Sequence, residues 1–307
     1  MHVFGPVPSR RLGLSLGVDP IPPKTCNFSC IYCQLGRTTN FINERRAFYP
    51  KEEILGEIGK SIEKRPDYIT FVGSGEPTLS ADLGWLIRRA RNFSVPVAVI
   101  TNGALLSRED VRDDLGEADI VLPSLDAGCP KTFRRVNRPV RSIVFEEMVD
   151  GLIDFSDVYG GKIWVEYMAL NGINDSRDEL LKIAEILRGV GADRVHVNVP
   201  IRPPAEPWVE PSANLSEIEE ILGEVVEIVL PEMGDFPISS GPGLESEIAQ
   251  KLIEIMGRHP MRGDQIAEIL KREKLGWDLI DGLVVEGRIK EVKYREGSFF
   301  VLAERDS

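Results

Sequence analysis

The sequence predicts an α/β fold, consisting of a partial (β/α)6 barrel of the TIM type and a small C-terminal winged-helix-like domain. Short apolar runs rich in Val and Ile alternate with longer amphipathic stretches, and polar, glycine-rich segments follow the runs. After residue 244 the pattern changes to three helical stretches and a hairpin. We therefore expect a core over residues 1–208, a linker with a connecting helix over 209–244, and the second domain over 245–307.

Six of the apolar runs are too short for helices and are predicted to be strands. They span residues 14–21, 68–73, 97–103, 119–127, 162–170 and 193–201. Five amphipathic stretches between them are predicted to be helices, over residues 51–65, 81–93, 107–117, 141–155 and 176–191. Ser176, with Glu179 three residues later, predicts a capping box at the start of the last helix. This order fits both an open doubly wound sheet and a partial barrel.

Polar residues inside two of the strands favour the barrel. His196 and Asn198 share one face of their strand, opposite the valines, and Glu166 lies opposite its neighbours Val165 and Tyr167. A doubly wound sheet would bury both faces under helices, where unpaired polar groups are costly. In a barrel the same three polar side chains would face the lumen.

The C-terminal segment has the outline of a winged helix-turn-helix module. Helical stretches over 247–259, 262–273 and 276–288 precede a hairpin over 288–303, with its turn at Glu296 and Gly297. Residues 245–307 carry 11 Lys and Arg against 13 Asp and Glu, whereas a helix that reads a nucleic-acid groove should be basic. We therefore expect this domain to dock onto the core or onto a protein partner.

Composition narrows the functional class. A formal net charge of -12 over 307 residues argues against bulk electrostatic capture of nucleic acid or of an anionic membrane. The same net charge is compatible with a local basic site. The sequence has no apolar run of membrane-spanning length and no signal-peptide core, so we expect a cytoplasmic protein. Four cysteines, three of them clustered, do not resemble a secreted disulfide framework.

The clustered cysteines predict an open metal centre. Cys26, Cys30 and Cys33 have the spacing C-x3-C-x2-C, one thiolate short of the four that close a structural zinc site or an ordinary iron-sulfur site. The missing ligand leaves one position for a substrate or cofactor. Soft thiolates favour iron and sulfur over catalytic zinc, and structural zinc completed by Cys129 is the alternative. Otherwise Cys129 is interpreted as a small buried side chain.

These residues resemble a known family. The segment "CNFSCIYC", with aromatic Tyr32 before the third cysteine, resembles the cluster-binding loop of radical S-adenosylmethionine (SAM) enzymes, and "GSGEPT" resembles their glycine-glycine-glutamate motif. The resemblance covers residues 1 to about 205. It implies that the three cysteines hold a [4Fe-4S] cluster and that SAM fills the fourth iron site. It also implies reductive cleavage of SAM to a 5'-deoxyadenosyl radical that abstracts hydrogen from a substrate.

The resemblance further assigns candidate cofactor contacts. Gly73, Ser74, Gly75 and Glu76 would line the methionine end of SAM, with Ser74 in place of the usual glycine. Ser124 would bind the ribose, assisted by Asp126, and "NGIND" at residues 171–175 loosely resembles the segment near the adenine, unless it is only a turn. The candidate cofactor-binding set also includes Tyr32 of the cysteine loop and the strand-end residues Thr101 and Asn102. The lumen-facing residues Glu166, His196 and Asn198 complete it. No catalytic residue is assigned.

The substrate is less defined. The pattern that includes "RRVNRP" and "RPPAEPW" resembles the branch of iron-sulfur oxidoreductases related to wyosine-type tRNA-modifying synthases, but this chain lacks the extra cysteines that those synthases carry for a second cluster. A separate ferredoxin or flavodoxin is therefore expected as electron donor. Alternatives are a radical activase of a partner protein and a non-enzymatic iron or redox sensor.

Arginines near the strand ends suggest an anionic substrate, because guanidinium groups pair well with phosphate and carboxylate. The alternative is that these side chains are solvated or paired with some of the 49 acidic residues. The arginines concerned are Arg10, Arg11, Arg37, Arg138 and Arg202.

Overall fold

A computed structural model describes residues 2–229, 245–295 and 297–303. Its main element is an eight-stranded sheet in the order β1-β2-β5-β6-β7-β8-β9-β10, in which β1 runs antiparallel to β2 and every other neighbouring pair is parallel. The strands are β1 (Val3–Ser9), β2 (Gly13–Val18), β5 (Tyr68–Phe71), β6 (Val97–Thr101), β7 (Ile120–Pro123), β8 (Lys162–Met168), β9 (Arg194–Asn198) and β10 (Val226–Ile228). A separate parallel pair, β3 (Thr25–Cys26) and β4 (Asn40–Phe41), flanks the cysteine loop.

Seven helices accompany this sheet. They are α1 (Lys51–Ser61), α2 (Leu83–Ala90), α3 (Glu109–Leu115), α4 (Pro130–Val136), α5 (Phe145–Val158), α6 (Arg177–Val190) and α7 (Leu215–Leu222). Short 3-10 turns occupy Ile62–Lys64, Pro77–Leu79 and Arg91–Phe93. One face of the strands and the apolar faces of the helices form the largest core, which includes Val99, Val165, Ile183 and Val197.

The inner face of the sheet is strongly curved. Leu12, from the turn between β1 and β2, shares an apolar cluster with Trp164 of β8, although three strands separate β2 from β8 in the sheet. Ala98, Ile120 and Leu122 complete this inner cluster. Arg11, from the same turn, forms an ion pair with Glu166 of β8. This contact across the concave face indicates a partial barrel, with a lumen in which polar side chains can meet.

The six predicted strands are present as consecutive neighbours, and two further strands extend the sheet. β1 contains Pro6 and Pro8, which lack the backbone N–H that a central strand must donate, so it lies at an edge with an irregular register. β10 has only three residues and falls, with α7, in the segment predicted as a linker. The domain boundaries stay predictions.

The predicted capping box at the start of α6 is wrong. Ser176 makes no side-chain cap hydrogen bond, and Glu179 instead accepts from the Gly128 backbone N–H at 2.6 Å and from the Cys129 thiol at 3.5 Å. The local sequence pattern fits the box, but a neighbouring strand end provides better donors for the carboxylate.

The C-terminal residues form a separate small core. Its elements are α8 (Glu245–Arg258), β11 (Met261–Arg262), α9 (Gly263–Glu273), α10 (Asp278–Val285), β12 (Ile289–Tyr294) and β13 (Gly297–Leu302). The strands form an antiparallel sheet in the order β11-β13-β12 around Leu252, Ile266, Ile280 and Phe300. The three predicted helices and the hairpin are present, while Glu296 of the predicted turn lies outside the described residues. No helix in the described ranges is long and apolar enough to span a membrane.

Candidate cofactor site at the barrel mouth

The three clustered cysteines line one cavity of about 430 Å³ at the carboxyl ends of the strands. The cysteine loop is held there by backbone hydrogen bonds to the end of α4, from Ser29 N–H to the Asn137 carbonyl at 3.0 Å and from Ile31 N–H to the Val136 carbonyl at 2.9 Å. Ten of the predicted cofactor contacts line the same cavity: Tyr32, Gly73, Ser74, Gly75, Glu76, Thr101, Asn102, Ser124, Glu166 and Asn198. Asp126 and His196 do not line it.

The three thiols do not form the compact ligand set that a single metal ion requires. Four thiolates around one zinc ion lie about 3.8 Å apart, because each Zn–S bond is about 2.3 Å. In the part of the chain that the structure describes, only His2, Glu53 and Glu57 bring three such ligand atoms within 4.8 Å of one another. The sulfurs of Cys26, Cys30 and Cys33 are therefore not all within 4.8 Å of one another, which is compatible with each sulfur binding its own iron.

Side-chain amides donate hydrogen bonds to two of these sulfurs. Asn102 Nδ2 lies 3.6 Å from Cys26 Sγ, which also accepts from the Phe28 backbone N–H at 3.4 Å, and Asn137 Nδ2 lies 3.7 Å from Cys30 Sγ. Burial, with smaller contributions from Glu76 and Cys33, raises the pKa of the Cys26 thiol well above its usual value. N–H donors offset that cost, because they stabilise the thiolate that binds iron.

Glu76 holds the loop after β6 in place. One carboxylate oxygen accepts from the Thr78 N–H at 3.0 Å and from the hydroxyls of Thr78 and Thr101, both at 2.6 Å, and the other accepts from the Asn102 N–H at 2.7 Å. Burial raises the pKa of Glu76, and these four donors act in the opposite direction. The carboxylate therefore fixes Asn102 and, through it, the hydrogen bond to Cys26; its predicted contact with SAM stays a prediction.

The glycine-rich loop packs directly against the strand that leads to Cys26. A Cβ on Gly75 would lie 1.8 Å from the Thr25 carbonyl oxygen, and one on Gly73 would lie 2.5 Å from an oxygen of Asp19. Ser74, the departure from the family motif, donates its hydroxyl and backbone N–H to Asp19 at 2.8 and 3.0 Å. Glycine at position 75 is thus required by the approach of two backbones.

Asp126 joins three parts of the site instead of facing the cavity. It accepts from the Tyr32 hydroxyl at 2.5 Å, from Asn137 Nδ2 at 2.7 Å and from the Met168 N–H at 2.9 Å. Burial raises the pKa of Asp126, with these donors opposing. The predicted assistance of Asp126 to a ribose finds no support in its position. Sequence reasoning did not assign Asn137, although "RRVNRP" belonged to the segments that carry the family resemblance.

Asn174, within the segment that loosely resembles an adenine contact, also has internal partners. Its amide donates to the Asp126 and Met168 carbonyls at 2.9 and 2.8 Å and accepts from the Leu170 N–H at 2.8 Å. The turn interpretation of residues 171–175 accounts for these contacts.

A polar group faces the lumen next to the cavity. Arg11 forms an ion pair with Glu166 and donates to Asn198 Oδ1 at 3.4 Å. His196 packs edge-on against Trp164 and lies 3.4 Å from Glu227. Burial lowers the pKa of His196, with Glu166 opposing, so the imidazole is neutral at pH 7. The lumen side chains predicted from strand alternation thus lie together, with His196 outside the cavity.

The predicted arginines divide into two sets. Arg37 and Arg138 both pair with Glu206, which is 5% exposed; burial alone would raise the pKa of Glu206, but the two guanidinium groups lower it. One carboxylate therefore holds both guanidinium groups in place and balances one of their two charges. Arg202 instead donates to neutral oxygens, the Pro260 carbonyl at 3.2 Å and Gln34 Oε1 at 3.1 Å.

The C-terminal domain contacts the cysteine loop. Gln34, the residue after Cys33, donates to the Arg258 carbonyl at 3.3 Å and lies 2.9 Å from His259 Nδ1. The Arg258 guanidinium stacks over Phe4 and lies 3.8 Å from Asp19, the carboxylate that holds Ser74. The end of α8 thereby touches the cysteine loop and the carboxylate that holds the glycine-rich loop, a contact with no local sequence signal.

Cys129 lies apart from this site. Its thiol contacts Thr132 Oγ1 at 3.4 Å and Glu179 at 3.5 Å, and it does not line the cavity. The alternative of structural zinc completed by Cys129 finds no support in this arrangement.

Comparison with known proteins gives a family. A model described as the radical SAM superfamily matches residues 21–187. The UPF0026 protein MJ1312 of Methanocaldococcus jannaschii is 38% identical over 307 residues, covering 97% of this chain and 95% of the relative.

Two solved structures share the fold. A structure of TYW1 with a lysine-pyruvate adduct bound has a TM-score of 0.51 at 19% identity, covering 71% of this chain and 75% of that one. A radical SAM methyltransferase from Sphaerobacter thermophilus has a TM-score of 0.54 at 18% identity, covering 70% and 66%. At these identities the likeness shows the fold alone, and it supports the predicted α/β partial barrel.

Proposed function

This chain belongs to the radical SAM superfamily and, within it, to the UPF0026 family, and we propose that it cleaves SAM reductively to abstract hydrogen from a substrate that it binds in the barrel lumen. As a radical SAM enzyme it uses a [4Fe-4S] cluster and SAM. When bound, the cluster supplies the electron that cleaves SAM into methionine and a 5'-deoxyadenosyl radical. The supporting observation is that three separate thiols share one cavity with the "GSGE" loop.

The residues of this chain hold and shield the cofactors. Cys26, Cys30 and Cys33 would bind three irons, and the amides of Asn102 and Asn137 stabilise two of the sulfurs as thiolates. No fourth cysteine lines the cavity among the described residues, so one iron position stays available for SAM. Glu76 accepts from the Asn102 backbone N–H and Asp126 accepts from the Asn137 amide, so the two carboxylates limit the movement of both donors.

The lumen provides the substrate position. Glu166, Met168 and Asn198 line the cavity on strands β8 and β9, across from the glycine-rich loop. Arg11 neutralises Glu166 there, so the lumen offers hydrogen-bonding groups without a large net charge. A polar, uncharged part of a substrate is therefore favoured next to the cofactors.

We also propose that the chain is related to the wyosine-type branch and receives electrons from a ferredoxin or flavodoxin. Of four cysteines only Cys129 remains beyond the cluster set, which supports an external donor. The segments that carry the finer resemblance meet each other, since Arg138 of "RRVNRP" pairs with Glu206 of "RPPAEPW". Both segments hydrogen-bond to the cysteine loop at Ile31. They therefore support a shared fold with that branch rather than a tRNA substrate.

We interpret the C-terminal domain as winged-helix-like, from its order of helices and strands. Its third helix, α10, carries Asp278 and Asp281, and Val285 near its end is 87% exposed. An acidic and apolar helix favours protein contact over a nucleic-acid groove. The cytoplasmic location stays a prediction.

Anaerobic reconstitution tests the proposed function. The chain is loaded with iron and sulfide, reduced with dithionite and mixed with SAM, and 5'-deoxyadenosine is measured by chromatography. We expect 5'-deoxyadenosine from the wild type and from Cys129→Ala, and none from Cys30→Ala. An intact, reduced cluster that forms no 5'-deoxyadenosine would support the iron or redox sensor instead.

A further inference from the structure

A second cavity of about 760 Å³ lies between the barrel and the C-terminal domain. Its walls come from the loop after β9, the start of α9 and the β12–β13 hairpin, and they include Arg202, Arg262 and Arg295. Two hydrogen bonds hold the walls together, from the Tyr294 hydroxyl to the Pro200 carbonyl and from Arg202 Nε to the Pro260 carbonyl, both at 3.2 Å. We call it the interdomain cleft.

The interdomain cleft is cationic in a chain whose formal net charge is -12. Three of its lining residues are arginines and one, Asp264, is acidic. Asp264 pairs with Arg262 Nη2 at 3.0 Å and is largely exposed, whereas Arg202 hydrogen-bonds only to neutral oxygens among its described contacts. A local excess of guanidinium charge remains in the cleft.

Two further observations concern the arginines of the cleft. Burial, together with the nearby charges of Arg10 and Arg262, lowers the pKa of Arg202 to about 10, which is the direction that crowding of like charges produces. The Nε of Arg262 is buried and has no hydrogen-bond partner among the described residues. A buried donor without a partner is costly unless a ligand accepts from it.

The interdomain cleft adjoins the cofactor cavity. Ile201, Arg202 and Gln265 line both cavities. A molecule anchored in the cleft can thus extend past Arg202 toward the cysteine loop, where Gln34 contacts the same arginine. The cleft, of about 760 Å³, has room for a phosphate group and part of the molecule that carries it.

We propose that the interdomain cleft binds a phosphate group of the substrate and so positions the rest of that molecule in the cofactor cavity. The positioning of the substrate in the cofactor cavity rests on the proposed function, whereas phosphate binding in the cleft does not. Phosphate is favoured over carboxylate because its several oxygens and up to two negative charges can engage more than one guanidinium fork at once. The cleft, rather than Arg37 or Arg138, is then the anion site that the loop arginines suggested.

A titration with inorganic pyrophosphate tests the site directly. Calorimetry on the full-length, cluster-reconstituted protein compares wild type with the double variant Arg262→Gln/Arg295→Gln. The matched control, Arg88→Gln/Arg177→Gln, removes two surface arginines that pair with Glu117 and Glu217. We expect the cleft variant to bind at least about 100-fold more weakly, from the loss of two charge-assisted hydrogen bonds, and the control to match wild type.

Equal affinity in the two double variants, or no saturable binding by the wild type, would overturn the proposal. Thermal unfolding confirms that each variant is folded, and the single variant Arg295→Gln provides a second test because Arg295 is exposed on the hairpin. It should weaken pyrophosphate binding in the same direction, and an unchanged affinity in a folded Arg295→Gln would count against the cleft.

A second arm identifies the source of the phosphate. Fluorescence anisotropy measures binding of a fluorescein-labelled oligouridylate of about 12 nucleotides to the same variants. If the cleft variant loses both its affinity for this RNA and the salt dependence of that affinity, the phosphate belongs to an RNA backbone. If only pyrophosphate binding weakens, the phosphate belongs to a small molecule. Both results support the cleft. Pyrophosphate binding without 5'-deoxyadenosine formation would contradict the proposed function and leave the cleft intact.

Discussion

Glu76 is expected to support the fold and the cluster through its four hydrogen bonds, and the substitution Glu76→Gln isolates that role. The side chain is 2% exposed, and its two oxygens accept from Thr78, Thr101 and Asn102. If the glutamine oxygen still accepts from the two threonines, the glutamine NH2 group must face the Asn102 backbone N–H. Both of these groups are donors, so that hydrogen bond is lost. We expect a loss of about 3–5 kcal/mol in the free energy of unfolding, from one charged hydrogen bond and one unsatisfied buried donor.

Urea unfolding of the cluster-free chain measures this loss, because no SAM is then present. Glu52→Gln, at an exposed position on α1, is the matched control and should change the stability by less than about 0.5 kcal/mol. After reconstitution, Glu76→Gln should also release iron to a chelator faster, since Asn102 no longer holds its position beside Cys26.

The opposite outcome would refute this reasoning. If Glu76 acts mainly as a ligand for the SAM ammonium, Glu76→Gln will keep wild-type stability and iron retention and will lose only SAM affinity. Such a result would mean that the four short contacts to Glu76 carry little free energy.

Three further predictions concern the loop, the sulfurs and the interdomain contact. Asn137→Leu removes the donor to Cys30 Sγ and to Asp126, so iron release to a chelator should accelerate severalfold, and an unchanged rate would contradict that role. Gly75→Ala places a Cβ 1.8 Å from the Thr25 carbonyl and should cost more than about 3 kcal/mol in urea unfolding, whereas Gly160→Ala, with open space around it, should be nearly neutral. Burial beside Arg202, Arg258 and Arg10 lowers the pKa of His259 to about 3, so below pH 6.5 only the unfolded state binds this proton. As the pH decreases below 6.5, the free energy of unfolding should therefore fall by up to about 1.4 kcal/mol per pH unit from this residue alone. His259→Gln should flatten the plot of unfolding free energy against pH between pH 6.5 and 5. Parallel plots for wild type and variant would contradict this.

The strands and the cysteine loop could be predicted from the sequence because their signals are local. Apolar runs of Val and Ile mark β6, β8 and β9, and C-x3-C-x2-C is a compact motif. Strand alternation also brings Glu166 and Asn198 to the cavity, as predicted from the period of two. β1 escaped prediction because its prolines argue against a strand, and only its edge position makes them tolerable.

The partners of the polar residues could not be predicted, because they come from distant parts of the chain. Glu206 pairs with Arg37 and Arg138 across 169 and 68 residues, and Asp126 accepts from Tyr32 across 94 residues. The contact of Gln34 with His259 spans 225 residues. In each case the sequence shows that the side chain is charged or polar, but it does not show which distant residue pairs with that side chain.

The electron paramagnetic resonance spectrum of the reduced cluster, recorded before and after addition of SAM, tests most directly whether three cysteines leave one iron open. The structure predicts a [4Fe-4S] signal in the wild type and in Cys129→Ala whose g-values shift when SAM binds the open iron. A spectrum that SAM leaves unchanged, or a cluster that is lost in Cys129→Ala, would contradict the open position at Cys26, Cys30 and Cys33.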